Sequence, residues 1–399
     1  MSNLSEIPLP PPQPADPSTA TATPTINIGT RRSILARKQT EIVEKKLKEA
    51  WPERTYETHA MATMGDKNQV TALHDFNAKS LWTHELEELL ERGKLDMIVH
   101  SLKDMPTQLP DNLSIGAILA REDPRDAFVL SHSLTCLNDP KYHSISTLPP
   151  GSLIGTSSVR RAAQLKRAHP HLRFADVRGN VGTRLAKLDG SWKPTDESSA
   201  DDTSKQPEAP QFTALILAAA GLIRLGLESR ITSFLSKSEG GMLHAVGQGA
   251  IGVEVRTDDR DIRTLLSRVG CERTTRACIA ERSLMRTLEG GCSVPIGVET
   301  EWVKVDTPTT ATQDPDAPLQ EDIAAGAPEP DEELVMRAVV VSVDGSEAAE
   351  AELQGPVGSR AMADEFGWKV AQALVSNGAG RILEKITLDR RIVEEQGGA

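Results

Sequence analysis

Two stretches of this chain, INIGTRRSILARKQ from Ile26 and SLIGTSSVRRAAQL from Ser152, follow one plan. A short apolar run ends in Gly-Thr, Ser and Arg open a helical period, and Ala and Gln follow. A second pair, KLDMIVHSLKDMP from Lys94 and FTALILAAAGLIR from Phe212, shares another plan: a strand runs into a turn with a charged residue soon after. Apolar runs of strand length alternating with helical periods specify an α/β fold. Two similarly built α/β domains facing each other account for both pairs. So does the general likeness of any two βα units.

Three polar stretches interrupt this pattern. Residues 1–25 are rich in Pro, Ser, Thr and Ala and read as a disordered tail, because they cannot bury enough apolar surface to offset ordering. Residues 190–211 and 305–333 are polar and acidic and read as long surface insertions. Residues 1–25, 191–210 and 306–332 are expected to be mobile and protease-sensitive. Past residue 270 the pattern changes. ERTTRACIAERSLMRTLEGG reads as a helix closed by glycines, SVPIGVETEW and ELVMRAVVVSVDG as strands, and DEFGWKVAQALVSNGAGRIL as a terminal helix. These make a smaller α+β unit whose first loop carries Cys292.

Bulk properties exclude several classes. A net charge of -12 argues against nucleic-acid binding through a basic surface, so any cationic site is local. Aromatic residues are only 3% of the chain, so its cores are aliphatic. The four cysteines, Cys136, Cys271, Cys278 and Cys292, form no CxxC pair and no disulfide spacing, which fits a reducing compartment. Cys271, Cys278 and Cys292 are also wrongly spaced for a metal, and no His lies close. The first basic residue is Arg31, so no charged leader is visible, and the longest apolar run, Ala214 to Ile223, is too short to span a membrane. A cytoplasmic protein is expected.

The arginines give the strongest chemical signal. Arg31 follows Gly-Thr, Arg160 and Arg161 follow GTSS, Arg178 and Arg184 flank the turn in VRGNVGTR, and Arg224 ends AGLIR. Helix N-termini are electropositive, so cations there are disfavoured unless an anion is bound. Guanidinium forks on one edge of the sheets would match carboxylates or phosphates. With no P-loop, a small polycarboxylate fits better than a nucleotide. In VHSLKDMP a strand ends in His100, Ser101, Lys103 and Asp104, where ligand sites of open α/β sheets lie. Asp104 there can donate a proton or stabilise a cation, or cap a turn. Cys278 reads as core. Cys292, in LEGGCSVP, is kept open by glycines and suits a nucleophile or an attachment point.

Together GTRRSILARKQ, AKSLWTHELE, VHSLKDMP, GTSSVRRAAQL, VRGNVGTRLAKLD, AGLIRLGLESR, AVGQGAIGVEVR and LEGGCSVPIG resemble the porphobilinogen deaminase (hydroxymethylbilane synthase) family from about residue 26 to 300. The resemblance implies three domains, the first two periplasmic-binding-protein-like (type II), the third a small α+β domain carrying the cofactor cysteine. Residues 26–120 with 246–268 form domain 1, 121–245 domain 2 and 269–399 domain 3. The implied reaction is head-to-tail condensation of four porphobilinogen molecules with loss of ammonia, then hydrolysis to hydroxymethylbilane. It implies a dipyrromethane cofactor bound covalently to Cys292 and held by Arg31, Ser33, Lys79, Ser157, Arg160, Arg161, Arg178 and Arg184. Arg31, Gln39, Arg178 and Arg224 would bind substrate, and Asp104 would be the catalytic acid. A monomer is expected, without nucleic acid or membrane, with uroporphyrinogen-III synthase a candidate downstream partner. His84 stands where many relatives carry Lys. The other readings are an organic-anion binding module on the same scaffold and a cysteine hydrolase pairing Cys292 with a His such as His100.

Overall fold

The structure is a computed structural model that describes residues 25–61, 83–135, 139–192, 211–288, 294–305 and 326–397. The tail 1–24, most of the two expected insertions, and Lys79, Cys136 and Cys292 lie outside the described residues.

The first sheet contains β1 (Ile26–Arg31), β2 (Tyr56–Met61), β3 (Met97–Ser101), β4 (Leu113–Ile118) and β10 (Ile251–Arg256), in the order β2-β1-β3-β10-β4. The second contains β5 (Asp126–Leu130), β6 (Leu153–Gly155), β7 (Arg173–Ala175), β8 (Ala214–Ala218) and β9 (Ser233–Leu235), in the order β7-β6-β8-β5-β9. In each sheet three strands run parallel, and the fourth place holds an antiparallel strand, β10 or β5. The two sheets therefore share one topology. The strands of INIGT and SLIGT are β1 and β6, and those of MIVHS and ALILA are β3 and β8, so each sequence pair occupies matching places. The Gly-Thr turns match for a packing reason. A Cβ on Gly29 would fall 2.5 Å from Leu95 Cδ1, and one on Gly155 2.4 Å from Leu215 Cδ2. Neither glycine has room for a side chain unless its leucine neighbour shifts.

Helices follow the strands as the periods require. Helix α1 (Ile34–Ala50) is capped by Ser33, α3 (Val159–Ala168) by Ser158 and α4 (Val181–Leu188) by Asn180, each side-chain oxygen accepting a backbone N–H of the first turn. None of these three helices has an acid in its first turn. The short α2 (His84–Glu91) and α6 (Arg260–Ser267) cover the first sheet, and α5 (Ala219–Arg224) follows β8. Helices α1 and α5 touch, joining the two units on one side.

The third unit is an antiparallel sheet, β11 (Ile296–Lys304), β12 (Glu332–Val341) and β13 (Ala348–Gly355). Helices α7 (Glu272–Thr287), α8 (Arg360–Ser376) and α9 (Ala379–Gly397) accompany it, and Leu284, Val298, Met336 and Val370 share its core. The strand β13 was not expected from the sequence. Of the stretch 305–333, residues from Gly326 onward belong to this unit: Arg273 donates its backbone N–H to Gly326 O at 2.8 Å, and β12 begins at Glu332.

Two segments cross between the first and second sheets, and they meet. Glu122 donates its N–H to Gly249 O at 3.2 Å. Gly249 has φ +87°, and a Cβ there would fall 2.4 Å from Glu122 O. The third unit grips both crossovers. Arg121 donates to Glu281 Oε1 at 2.6 Å and Oε2 at 3.0 Å, and to Gln248 O at 2.7 Å. Glu281 also accepts the Gly247 N–H at 2.8 Å and the Thr300 hydroxyl at 2.7 Å. Burial alone would raise the Glu281 carboxyl, but Arg121 and His244 outweigh it and hold it below the usual range. No helix among the described residues is long and apolar enough to cross a membrane.

Candidate active site

Asp104 closes a 3₁₀ turn, Leu102–Asp104, directly after β3. Leu102 and Met105 are buried on either side of the half-buried Lys103 and Asp104. Leu102 also donates its N–H to Ala250 O at 3.0 Å. No donor among the described residues hydrogen-bonds the Asp104 carboxylate.

Charges from both sheets converge here. Burial lowers the Lys103 ammonium, Asp104 and Asp126 oppose that, and Arg161 and Arg160 reinforce it. Arg184 is lowered to about 10 by burial and then by Arg161 and Arg178, against the pull of Asp104. Lys103 and Asp104 come from the first sheet, and the four arginines and Asp126 from the second. Five cations thus share the site with two carboxylates. Such a surplus is costly unless an anion completes it.

Arg160 and Arg161 are less open than a pair of ligand forks. Both are buried and share Asp126, which is 1% exposed. Arg160 Nη1 lies 2.8 Å from Asp126 Oδ2, and Arg161 Nε 2.9 Å from Oδ1. Arg160 Nη1 also reaches Leu243 O at 2.6 Å, and Arg161 Nη1 reaches Ile216 O at 3.0 Å. Gln248, on a crossover, donates to Asp126 Oδ1 at 3.0 Å. Burial would raise the Asp126 carboxyl, yet the two guanidinium groups hold it far below the usual range. One buried donor, Arg160 Nε, has no partner. This unused donor and the excess positive charge fit a group that carries carboxylates.

The other expected residues sit as follows. Arg31 ends β1 and is half-buried. Ser33 spends its hydroxyl on capping α1. Gln39 is buried, with its amide 3.0 Å from Ser101 Oγ. Ser157 donates to Val177 O at 2.8 Å and accepts the Val177 N–H at 3.1 Å, bracing the segment that leads to Arg178. Arg184 Nε donates to Gly179 O at 2.7 Å. Arg224, in the last turn of α5, donates to Gly249 O at 2.6 Å, and burial lowers it against the pull of Glu122. His84 is exposed at the start of α2, 3.4 Å from Glu88.

Two readings are corrected or sharpened by burial. His100 is 5% exposed and lies 2.9 Å from Glu254 on β10, so its ring is committed inside the first sheet and not open to serve a cysteine. Cys278 is fully buried, which pushes its thiol up to about 12, as a core cysteine requires. Among the described residues no group of three His, Cys, Asp or Glu could hold a metal ion. The sequence reading missed Asp126, Gln248 and the Arg121–Glu281 pair. The only available signal was the acid in RDAFVL, an ionisable residue opening an apolar strand.

Comparison with known proteins gives the site its setting. Residues 26–264 match the family model described as porphobilinogen deaminase, dipyromethane cofactor binding domain, and residues 275–307 match the porphobilinogen deaminase C-terminal domain. Porphobilinogen deaminase of Yarrowia lipolytica is 43% identical over 92% of this chain and 94% of its own length. That of Candida albicans is 41% identical over 92% and 94%, and that of Saccharomyces cerevisiae 40% over 92% and 98%. The chain belongs to the porphobilinogen deaminase family. Neither the binding-module reading nor the cysteine-hydrolase reading finds support among these relatives.

Proposed function

We propose that this chain is the transferase that joins four porphobilinogen molecules head to tail, with loss of one ammonia each, and releases hydroxymethylbilane by hydrolysis. The observation that carries the reading is the cationic cluster around Asp104, with Lys103 contributed by the unit of the first sheet and Arg161, Arg178 and Arg184 by that of the second. When bound, the dipyrromethane cofactor supplies the nucleophilic pyrrole carbon to which the first substrate is joined. Cys292 is its thioether attachment point. Arg31, Ser33, Lys79, Ser157, Arg160, Arg161, Arg178 and Arg184 hold it, and the arginines among them pair with its carboxylates. Arg31, Gln39, Arg178 and Arg224 hold the acetate and propionate of incoming substrate.

Asp104 does the proton work. Its carboxyl gives a proton to the substrate's amine, which leaves as ammonia. The carboxylate that results lies beside the cation left on the substrate carbon and stabilises it. After the new carbon–carbon bond forms, the same carboxylate removes the proton from the attacking pyrrole carbon.

The division into three sheets supports three domains, 26–120 with 246–268, 121–245, and 269–399. The first two are the periplasmic-binding-protein-like (type II) pair, and the third carries Cys292. A monomer in the cytoplasm, with uroporphyrinogen-III synthase acting next on the product, completes the proposal. The test is denaturing mass spectrometry of the purified protein beside an assay with porphobilinogen. The active protein should carry the mass of a dipyrromethane, and Cys292→Ser should lose it. An unmodified chain that is fully active on porphobilinogen would overturn the attachment.

A further inference from the structure

Helix α7 carries a buried arginine, Arg282, that has no part in the proton transfers proposed for Asp104. Arg282 is 5% exposed, and no carboxylate among the described residues forms an ion pair with it. Its guanidinium donates to Pro106 O at 2.5 Å and to Met105 O at 3.5 Å. Burial, and then repulsion by Arg286, lowers it to about 10. An unpaired cation kept out of water is unfavourable, and neutral carbonyls offset that only in part. Packing alone would be served as well by Met or Leu, so the charge and its donors call for another reason.

The two carbonyls belong to the residues that directly follow Asp104. One turn before Arg282 on the same helix face, Cys278 packs with Leu102, Met105 and Ala250. The turn bearing Asp104 is therefore clasped at both ends. On one side Leu102 is bonded to Ala250 beside β10, and on the other Met105 and Pro106 are held by Arg282.

We infer that Arg282 is a positioning residue for proton transfer, fixing the Leu102–Pro106 turn so that the Asp104 carboxylate is aimed at the departing nitrogen. This rests on the role proposed for Asp104. Met at this position keeps the side-chain stem and its packing but removes every donor. A reacting group displaced by about 1 Å can cost up to about 10²-fold in rate. Turnover by Arg282→Met should therefore fall about 10-fold while KM for porphobilinogen changes less than about 2-fold.

The experiment is single-turnover ammonia release by cofactor-loaded wild type, Arg282→Met, Asp104→Asn and the double variant. Since Arg282 acts through Asp104, adding Arg282→Met to Asp104→Asn should lower the rate by less than about 2-fold further. Native release by Arg282→Met, or a loss repeated in full on the Asp104→Asn background, overturns the inference. A disabled Asp104→Asn beside a native Arg282→Met removes the inference alone. A native Asp104→Asn removes the Asp104 assignment, and the inference with it. Should Arg282→Met not fold, Arg282→Lys, which keeps the charge and fewer donors, carries the same four-way comparison with the same deciding outcomes.

Discussion

Replacing Asp126 by Asn should separate what the two buried arginines draw from this carboxylate from what they draw from a ligand. The carboxylate accepts from Arg160 Nη1 at 2.8 Å, Arg161 Nε at 2.9 Å and Gln248 Nε2 at 3.0 Å, and lies 2.7 Å from Arg161 Nη2. Charge-assisted hydrogen bonds are worth about 1.5–3 kcal/mol each, but these share one acceptor group and do not add. Removing one partner of a buried ion pair costs about 3–5 kcal/mol. Asn keeps one acceptor oxygen and turns an NH₂ towards a guanidinium, so a loss of about 4 kcal/mol is expected in protein without cofactor. If Arg160 and Arg161 hold the cofactor as proposed, its carboxylates give them new partners in loaded protein, and the loss should shrink to about 2 kcal/mol. Urea unfolding at pH 7 measures this for wild type and Asp126→Asn, each with cofactor and each on a Cys292→Ser background. Equal losses in the two settings would show that Arg160 and Arg161 do not sense the cofactor. The pH dependence has a definite sign. The folded carboxyl is depressed, so its contribution is complete above the ordinary value of 3.8 and is lost as pH falls further. Wild type should thus show an acid-induced loss that Asp126→Asn lacks.

Asp104→Asn should fold normally and lose at least about 10²-fold in turnover, whereas Asp104→Glu should retain more; ammonia release by protein of verified cofactor content checks both. Arg178→Gln should impair cofactor assembly or stall elongation with little change in the melting of the unloaded form, and a variant that unfolds while its folded fraction turns over normally would make the residue structural. Gly155→Ala places a methyl 2.4 Å from Leu215 Cδ2 and 2.9 Å from Phe212 Cδ1, and should lower stability by about 1–3 kcal/mol in urea unfolding.

Local chemistry made part of this molecule legible. The Gly-Thr turns and their following caps could be read because strand, turn and cap lie within a dozen residues. Their repetition then pointed to the shared topology of the two sheets. Arg31, Arg160, Arg178 and Arg184 could be picked out because a cation beside a helix start is unusual wherever it occurs. Asp126 could not be found this way. Its partners Arg160 and Arg161 lie 34 and 35 residues on, and only the placing of β5 beside β8 brings them together. Arg282 is hidden more deeply, since Pro106 is 176 residues away and the contact needs α7 packed beneath the turn. The strand β13 escaped notice because AAEAELQG is rich in Ala and Glu, which favour helices, and only pairing with β12 makes it a strand.

The order of the first sheet bears on how the chain is made. Strand β10 lies between β3 and β4 and is the only strand among the described residues that pairs with β4. Between the end of β4 at Ile118 and the start of β10 at Ile251 lie 132 residues (250 − 118), which contain the whole second sheet. At a synthesis rate of about 5–20 residues per second, roughly 7–26 s pass before β10 exists. During that interval β4 has no neighbour, while β5 to β9 can already assemble. The unit that comes second along the chain is therefore the first that can be finished on the ribosome. The nascent first sheet must keep its unpaired edge from other chains until β10 arrives.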